Sequence, residues 1–338
     1  MTVPNPTVSV LMPVHNAAEF LCQSIESVLS QTLADFEFVI VDDASTDDSE
    51  RIVSGYTDSR IRLIKNARKC GVAECLNTGL RVARGKYIAR MDADDISLPT
   101  RFARQVAFMD EHPEIGVLGM PAQAFGDAVF TIKYPTEHDA LKTQLLFNTC
   151  FAHPTVMFRA TMLAEGAFEY PYVTLEDYAF WSELVDKATF ANSTELGLRY
   201  RVRSGSVLRS LSSASFEEAY AQIDVKNLSK LSIDANASEL ALHNILRNPT
   251  GPLMDDAEQW LLRIRDANAK AHYYDSVLLD ALLHDRWRLY CYVTHGWGPR
   301  KYLRYLRSPL SRTSHEPMRS TVATFLKFCV WKLFTVIR

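Results

Sequence analysis

The sequence predicts an α/β protein, a mostly parallel sheet flanked by helices, followed by a mainly helical C-terminal region. Three observations predict it. Over the first 120 residues, short runs that are apolar throughout alternate with stretches whose apolar residues recur at helical spacing. Strands apolar on both faces belong to parallel sheets covered by helices on both sides. Acidic clusters stand where two of these runs end, and in such sheets ligands bind beyond the carboxyl ends of the strands. From about residue 205 onward the pattern reads mostly helical.

Each element has its own signal. Residues 8–12 are a short β-rich run that Pro13 is expected to end, and Phe20, Leu21, Ile25, Val28 and Leu29 then share one helical face. Residues 36–41 form a second strand ending at Asp42-Asp43. Ser45-Thr46-Asp47-Asp48 reads as a helix start, with Ile52, Val53 and Tyr56 inward. Residues 61–64 are a third strand. Gly71 opens a helix carrying Val72, Leu76 and Leu80, which Gly85 is expected to close. Residues 87–91 are a fourth strand ending at Asp92. Pro99 starts a helix with Phe102, Val106 and Met109 inward, and residues 115–118 are a fifth strand. Beyond residue 120 the pattern is mixed, with a further strand at 155–158 and helix breaks near 249–252 and 296–299.

The length of 338 residues suits two domains, which we place at 1–204 and 205–338. With 47% hydrophobic and 23% charged residues, the chain can bury a sizeable core. The net charge of −3 is unevenly spread: residues 286–338 hold eleven Lys and Arg against one acid, Glu316. An acidic body with a basic tail suits a partner rich in phosphate or an anionic lipid surface. The six cysteines, Cys22, Cys70, Cys75, Cys150, Cys291 and Cys329, show no Cys-x-x-Cys spacing and no zinc pattern, so free thiols in a reducing cytosol are expected. No signal peptide is expected, and no run reaches the ~18 apolar residues of a spanning helix.

The strongest chemical signal is Asp92-Ala93-Asp94-Asp95. Three carboxylates in four residues, just past a buried strand, repel one another unless a cation or hydrogen-bond donors compensate. Hard divalent cations prefer such oxygen ligands. The alternative is a solvated turn capping the helix near Pro99. Asp42-Asp43 could accept hydrogen bonds from a base or ribose, or cap the following helix. Glu176-Asp177, ahead of Tyr178, Phe180 and Trp181, could be a desolvated basic pair, or a helix start with acids near the positive end of the dipole. Pro13-Val14-His15-Asn16 stands where a dinucleotide-binding or phosphate-binding loop would carry glycines, which argues against both.

Taken in order, several segments resemble family-2 glycosyltransferases of the GT-A fold, of the type that builds bacterial surface polysaccharides. They are the run from Val8 to Asn16, Ser27 through Gln31-Thr32, the run from Val41 to Asp47, Leu76 to Leu80, Ala89 to Asp95, Pro99 with Arg101, His153 to Arg159, and Glu176-Asp177 with Trp181. The resemblance covers roughly residues 7–200. It implies that Pro13 and His15 line the base and ribose pocket and that Asp43 accepts from the base. Asp92 would contact the ribose or help order the metal site. Asp94 would ligate Mn2+ or Mg2+ at the donor diphosphate, and Asp177 would be the general base. Glu176, His153, Trp181 and Asp95 are implied as acceptor-contacting or supporting residues, and His153 also reads as an oriented buried imidazole. His15 departs from the aromatic residue frequent in the family. Arg68 or Lys69 would have to supply the basic residue that relatives place near the nucleotide.

The implied function is inverting transfer of a sugar from a nucleotide-sugar, UDP-sugar by default, to a hydroxyl of a glycan or lipid-linked glycan. The alternatives weighed are a non-catalytic nucleotide-sugar-binding module, which would be expected to lose an acid, and a sugar nucleotidyltransferase, which would want a glycine-rich loop. The tail combines Arg300, Lys301, Arg304 and Arg307 with an apolar stretch at 322–337. That combination suits a helix lying on the inner face of the cell membrane, or else a terminal helix docked on the protein. A cytoplasmic location at that face follows, and nucleic-acid binding is not expected.

Overall fold

The computed structural model describes residues 5–164, 169–203, 213–249, 256–293 and 305–312. Arg300, Lys301, Arg304 and the apolar stretch 322–337 lie outside them. The first compact unit comprises Met1–Leu141 and Thr149–Phe216, the second Lys142–Asn148 and Glu217–Arg338.

The first unit begins with β1 (Val8–Val14), α1 (Ala18–Leu29), β2 (Phe36–Asp42), α2 (Ser49–Ser54), β3 (Ile61–Lys65), α3 (Val72–Val82) and β4 (Tyr87–Arg90). Then come β5 (Ile96–Ser97), α4 (Arg101–Glu111), β6 (Ile115–Gly119), β7 (Ala122–Gly126), β8 (Thr131–Ile132) and α5 (His138–Gln144), the last crossing into the second unit. Then follow β9 (Met157–Arg159), α6 (Thr161–Ala164), α7 (Glu176–Leu184), β10 (Thr189–Asn192) and β11 (Leu198–Val202). Seven strands form one sheet in the order β10-β6-β9-β4-β1-β2-β3, parallel except for β9 against β4 and β6. Every residue of β2 is buried, and so is all of β1 but Pro13. This explains why both read as mostly apolar runs without alternation, interrupted by the buried, mutually hydrogen-bonded Ser9 and Glu37. In α1, Leu21, Ile25 and Val28 are fully buried at i, i+4 and i+7 against this sheet, each burial stabilising by roughly 1.5–3 kcal/mol.

Three expectations need correction. Pro13 does not end β1, because it pairs in register with Val41. Its missing N–H costs no ladder bond on the β4 side, where pairing stops at Leu11 and Arg90. Gly85 does not close α3, which ends at Val82 with Ala83 already extended. A Cβ on Gly85 would lie 2.4 Å from the backbone nitrogen of Ser9, so this glycine allows the chain to enter β4 tight against β1. The expected strand at 155–158 is shifted: residues His153–Thr155 form a 3-10 turn, and β9 follows, antiparallel. A second sheet, β5-β11-β7-β8, was not visible in the pattern, since two of its strands have two residues each.

The described residues of the second unit are mainly helical, with most of α8 (Ser213–Ser229), then α9 (Ala237–Arg247), α10 (Asp256–Ala271) and α11 (Ser276–Val293). Asn236 caps α9 in a capping box with Glu239. Fully buried Leu246, Leu261, Ile264, Leu283 and Trp287 fill its core together with Leu146 and Phe147. Among the described residues, no helix is long and apolar enough to cross a membrane.

A buried polar network fixes this unit. Arg247 donates to the Asp224 carboxylate and to the Phe147 carbonyl, and reaches Asn244 Oδ1 at 2.7 Å. The Trp260 indole can only donate, so His243 Nδ1 accepts from it (3.2 Å) and Nε2 carries the proton given to the Leu146 carbonyl (2.9 Å). Burial lowers the His243 pKa, consistent with that neutral tautomer. Removing one partner of a buried ion pair leaves an uncompensated charge, at about 3–5 kcal/mol. Asp224→Ala is therefore expected to lower unfolding free energy by about that amount in urea titration. Asp285→Ala, which breaks the exposed pair with Arg288, should cost only about 0–1 kcal/mol. Equal effects would show that the network contributes no more than a surface pair.

Candidate active site

The carboxyl ends of β1, β2 and β4 open onto a cleft of about 470 Å³ in the first unit. Pro13, His15, Asp43, Asp92, Asp94, His153, Glu176 and Asp177 all line it. The acidic motifs that sequence placed far apart are thus brought to one cavity. Asp95 and Trp181 do not border it: both are fully buried. Arg68 and Lys69 are exposed and do not line it either.

The loop after β4 is held from two sides. From α1, Ser24 Oγ donates to the Ala93 carbonyl (2.8 Å), Ser27 Oγ accepts from Ser97 N–H (3.0 Å), and the buried Gln31 amide donates to Ser97 Oγ and the Leu98 carbonyl. Gln31 Oε1 accepts the Phe102 N–H at the start of α4 (3.1 Å). From β11, Arg201 donates its backbone N–H to Asp95 Oδ1 (2.8 Å) and its Nε to the Asp94 carbonyl (2.7 Å). Arg203 Nε reaches Asp94 Oδ2 at 3.2 Å.

Within this loop, one oxygen each of Asp92, Asp94 and Asp95 lie within 4.8 Å of one another. Burial and then Asp92 raise the Asp94 pKa, against the lowering effect of Arg203. Burial, Asp92 and Asp94 together push Asp95 well above the usual carboxylate range, and its Oδ2 is buried with no hydrogen-bond partner. Clustered hard oxygens, mutually destabilised and incompletely satisfied, fit a divalent cation.

At the ends of β1 and β2, Asp43 organises the loop from Asn66 to Gly71. Its Oδ1 accepts from Asn66 Nδ2 (2.9 Å) and the Cys70 N–H (2.8 Å), and its Oδ2 from the Gly71 N–H (2.8 Å). Burial alone would raise its pKa; these donors outweigh it and leave the pKa lowered. Gly71 sits at φ 91°, a conformation open to glycine. His15 Nδ1 lies 2.8 Å from the Asp43 carbonyl. A carbonyl only accepts, so Nδ1 carries the proton and Nε2 is the ring's other, unprotonated nitrogen in the neutral form. The capping alternative for Asp42-Asp43 fails for α2, whose N-cap is Asp48.

Glu176 and Asp177 open α7, preceded by Leu175 at φ 66°. A leucine in the left-handed region costs about 1–3 kcal/mol and persists where the surroundings impose it. The helix-start reading of this pair holds, and the acids also border the cleft. Burial and Asp177 push Glu176 up to about 7. Asp177 is raised chiefly by burial, against the Tyr178 N–H and the charge of Arg90. His153 lies 7% exposed in the wall, its Nε2 3.1 Å from Tyr170 Oη, and burial followed by Arg90 keeps its pKa well below the usual imidazole value. Trp181 backs it edge-to-face at 5.9 Å.

Sequence reasoning missed three cations that border the cleft: Arg90, Arg201 and Arg203. The alternation Arg199, Arg201, Arg203 along one strand was the available signal for two of them. Arg90 was hidden inside an otherwise apolar run.

Comparison with known proteins agrees with this geometry. Residues 9–167 match Glycosyl transferase family 2. An Escherichia coli protein, UDP-Glc:alpha-D-GlcNAc-diphosphoundecaprenol beta-1,3-glucosyltransferase WfaP, is 33% identical over 219 residues, 64% of this chain and 84% of that one. An uncharacterized glycosyltransferase of Haemophilus influenzae is 31% identical over 214 residues, 58% of this chain and 66% of that one. Among solved structures, S. aureus TarS 1–349 in complex with UDP-GlcNAc shares the fold at TM-score 0.60 and 18% identity, covering 97% of this chain and 92% of that one. The chain belongs to glycosyl transferase family 2, with the GT-A fold that its sequence pattern predicts.

Proposed function

We propose that this glycosyltransferase moves a sugar from a UDP-sugar to a hydroxyl of a glycan or lipid-linked glycan, with inversion at the anomeric carbon. The observation that carries this reading is that two acid groups, Asp92 with Asp94 and Glu176 with Asp177, line one cleft. The Escherichia coli relative is named for a UDP-Glc donor and a diphosphoundecaprenol-linked acceptor, which supports the donor and acceptor classes. Peripheral membrane contact through the basic tail belongs to the same reading and rests on the sequence.

The residues divide the work. Pro13, His15 and Asp43 would bind the nucleoside, with His15 held by the Asp43 carbonyl and Asp43 itself fixed by three donors. Asp94, aided by Asp92, would hold Mn2+ or Mg2+, and a cation so bound supplies Lewis-acid stabilisation of the charge left on the departing diphosphate. Asp177 would take the proton of the attacking hydroxyl, its raised pKa making it a better base than an exposed carboxylate. A base on the side opposite the leaving group fits a single displacement.

Screening donor turnover with UDP-, GDP- and dTDP-sugars tests the reading at its root; turnover of none of them would overturn it. Calorimetric titration of UDP should show that Mn2+ tightens binding to the parent and not to Asp94→Ala. Equal enhancement in both would remove Asp94 from the metal site. Asp177→Asn should leave donor affinity within about threefold while transfer falls at least ~10²-fold; near-normal transfer would move the base elsewhere. A further expectation concerns pH. Glu176 has a folded-state value near 7 against an ordinary 4.5, so between those limits the folded chain holds a proton the unfolded chain has lost. Stability attributable to this group therefore falls as pH rises through the window. Glu176→Gln should accordingly gain in Tm over the parent from pH 4.5 to 7.5, and a pH-independent difference would contradict the assignment.

A further inference from the structure

Two arginines of the first unit, Arg101 buried and Arg159 half-buried, are satisfied by the protein. Arg101, fully buried, gives Nη2 to the Arg90 carbonyl (2.8 Å) and Nε to Gln105 Oε1 (3.1 Å). Arg159 gives Nε to the Ile115 carbonyl (2.8 Å) and Nη2 to those of Met109 and His112. Arg90 differs. Its side chain is 7% exposed, it borders the cleft, and its direct carboxylate contact among the described residues is one ion pair, Nη1 to Asp92 Oδ2. Its Nε is buried with no hydrogen-bond partner, and Nη1 has none beyond that pair. A guanidinium carries five N–H donors. Leaving such donors unmet inside a protein costs about 1–3 kcal/mol or more, so an oxygen-bearing group in the cleft is the natural complement.

The position says which group. Arg90 is paired with Asp92 on the donor side and acts electrostatically on Glu176 and Asp177 on the base side. In a displacement between those two acid groups, the sugar being transferred occupies the space between them. The acids already balance the charge of Arg90, so a neutral hydroxyl or amide oxygen suits it better than a second carboxylate. We infer that Arg90 is a specificity-determining residue that donates hydrogen bonds to the sugar moiety of the donor, and not to its nucleotide. This rests on the UDP-sugar reading above.

The test compares UDP with UDP-glucose, UDP-galactose and UDP-N-acetylglucosamine, by calorimetry in Mn2+, for the parent, Arg90→Lys and Arg90→Met. Arg90→Lys keeps the charge beside Asp92 but loses the planar fork. For at least one sugar nucleotide, the ratio of the UDP Kd to the UDP-sugar Kd should fall about tenfold or more in both variants, the loss expected for hydrogen bonds to a charged donor. UDP affinity of Arg90→Lys should stay within about threefold. Should Arg90→Met fail to fold, Arg90→Lys decides alone. An unchanged ratio for every sugar, or equal weakening of UDP and UDP-sugars, would overturn the inference and leave Arg90 a structural residue. A parent that binds neither UDP nor any of the three would instead overturn the UDP-sugar reading itself.

Discussion

The structure depends on holding many carboxylates in one partly desolvated cleft without losing the fold. Asp43, Asp92, Asp94, Glu176 and Asp177 all border it, and like charges at such distances repel strongly where water is scarce. Different devices hold different members. Asp43 is held ionised by backbone and side-chain donors, and its pKa falls. Asp92 is held by Arg90, and Asp94 by Arg203, although burial and Asp92 still leave the Asp94 pKa raised. Glu176 and Asp177 have no direct basic partner among the described residues, and their pKa values rise. That inequality is functionally useful. A carboxylate pinned by donors can bind and orient, whereas one that retains its proton affinity can act as a base.

Such a site needs a rigid support. The buried parallel sheet places the three strand ends, and α1 then fixes the acidic loop through Ser24, Ser27 and Gln31. Arg101 ties α4 to the end of β4 at the Arg90 carbonyl. Leu175, which lines the cleft, has positive φ, and so do Asn16 and Ala44, which follow the lining residues His15 and Asp43. Left-handed non-glycine residues are uncommon. At Leu175, a bulky residue that lines the cavity, surrounding packing imposes this conformation.

Much of this was legible in the sequence, for identifiable reasons. β1, β2 and β4 were readable because burial on both faces leaves mostly apolar runs, and the acids at the ends of β2 and β4 followed from chain direction alone. The motif residues Ser27, Gln31 and Arg101 were visible too, but their roles were not, since each acts through backbone contacts that only folding creates. Strands of two residues such as β5 and β8 have no period to detect. The return of β11 to the loop at Asp94 spans more than a hundred residues, so the alternation could mark Arg201 and Arg203 as sharing a face but not bring them to Asp94. Arg90 was obscured for the opposite reason: a strand that reads as core gave no hint that its last residue opens on a cleft.

The central claim is that this cleft binds the donor diphosphate at Asp94. The most direct measurement is a crystal structure with UDP and Mn2+, using anomalous scattering to locate manganese. The account predicts manganese against the Asp94 carboxylate with the diphosphate on its far side, the base near His15 and Asp43, and Arg203 parted from Asp94. A diphosphate bound in the cleft with manganese absent from Asp94, or UDP bound outside the cleft, would contradict it.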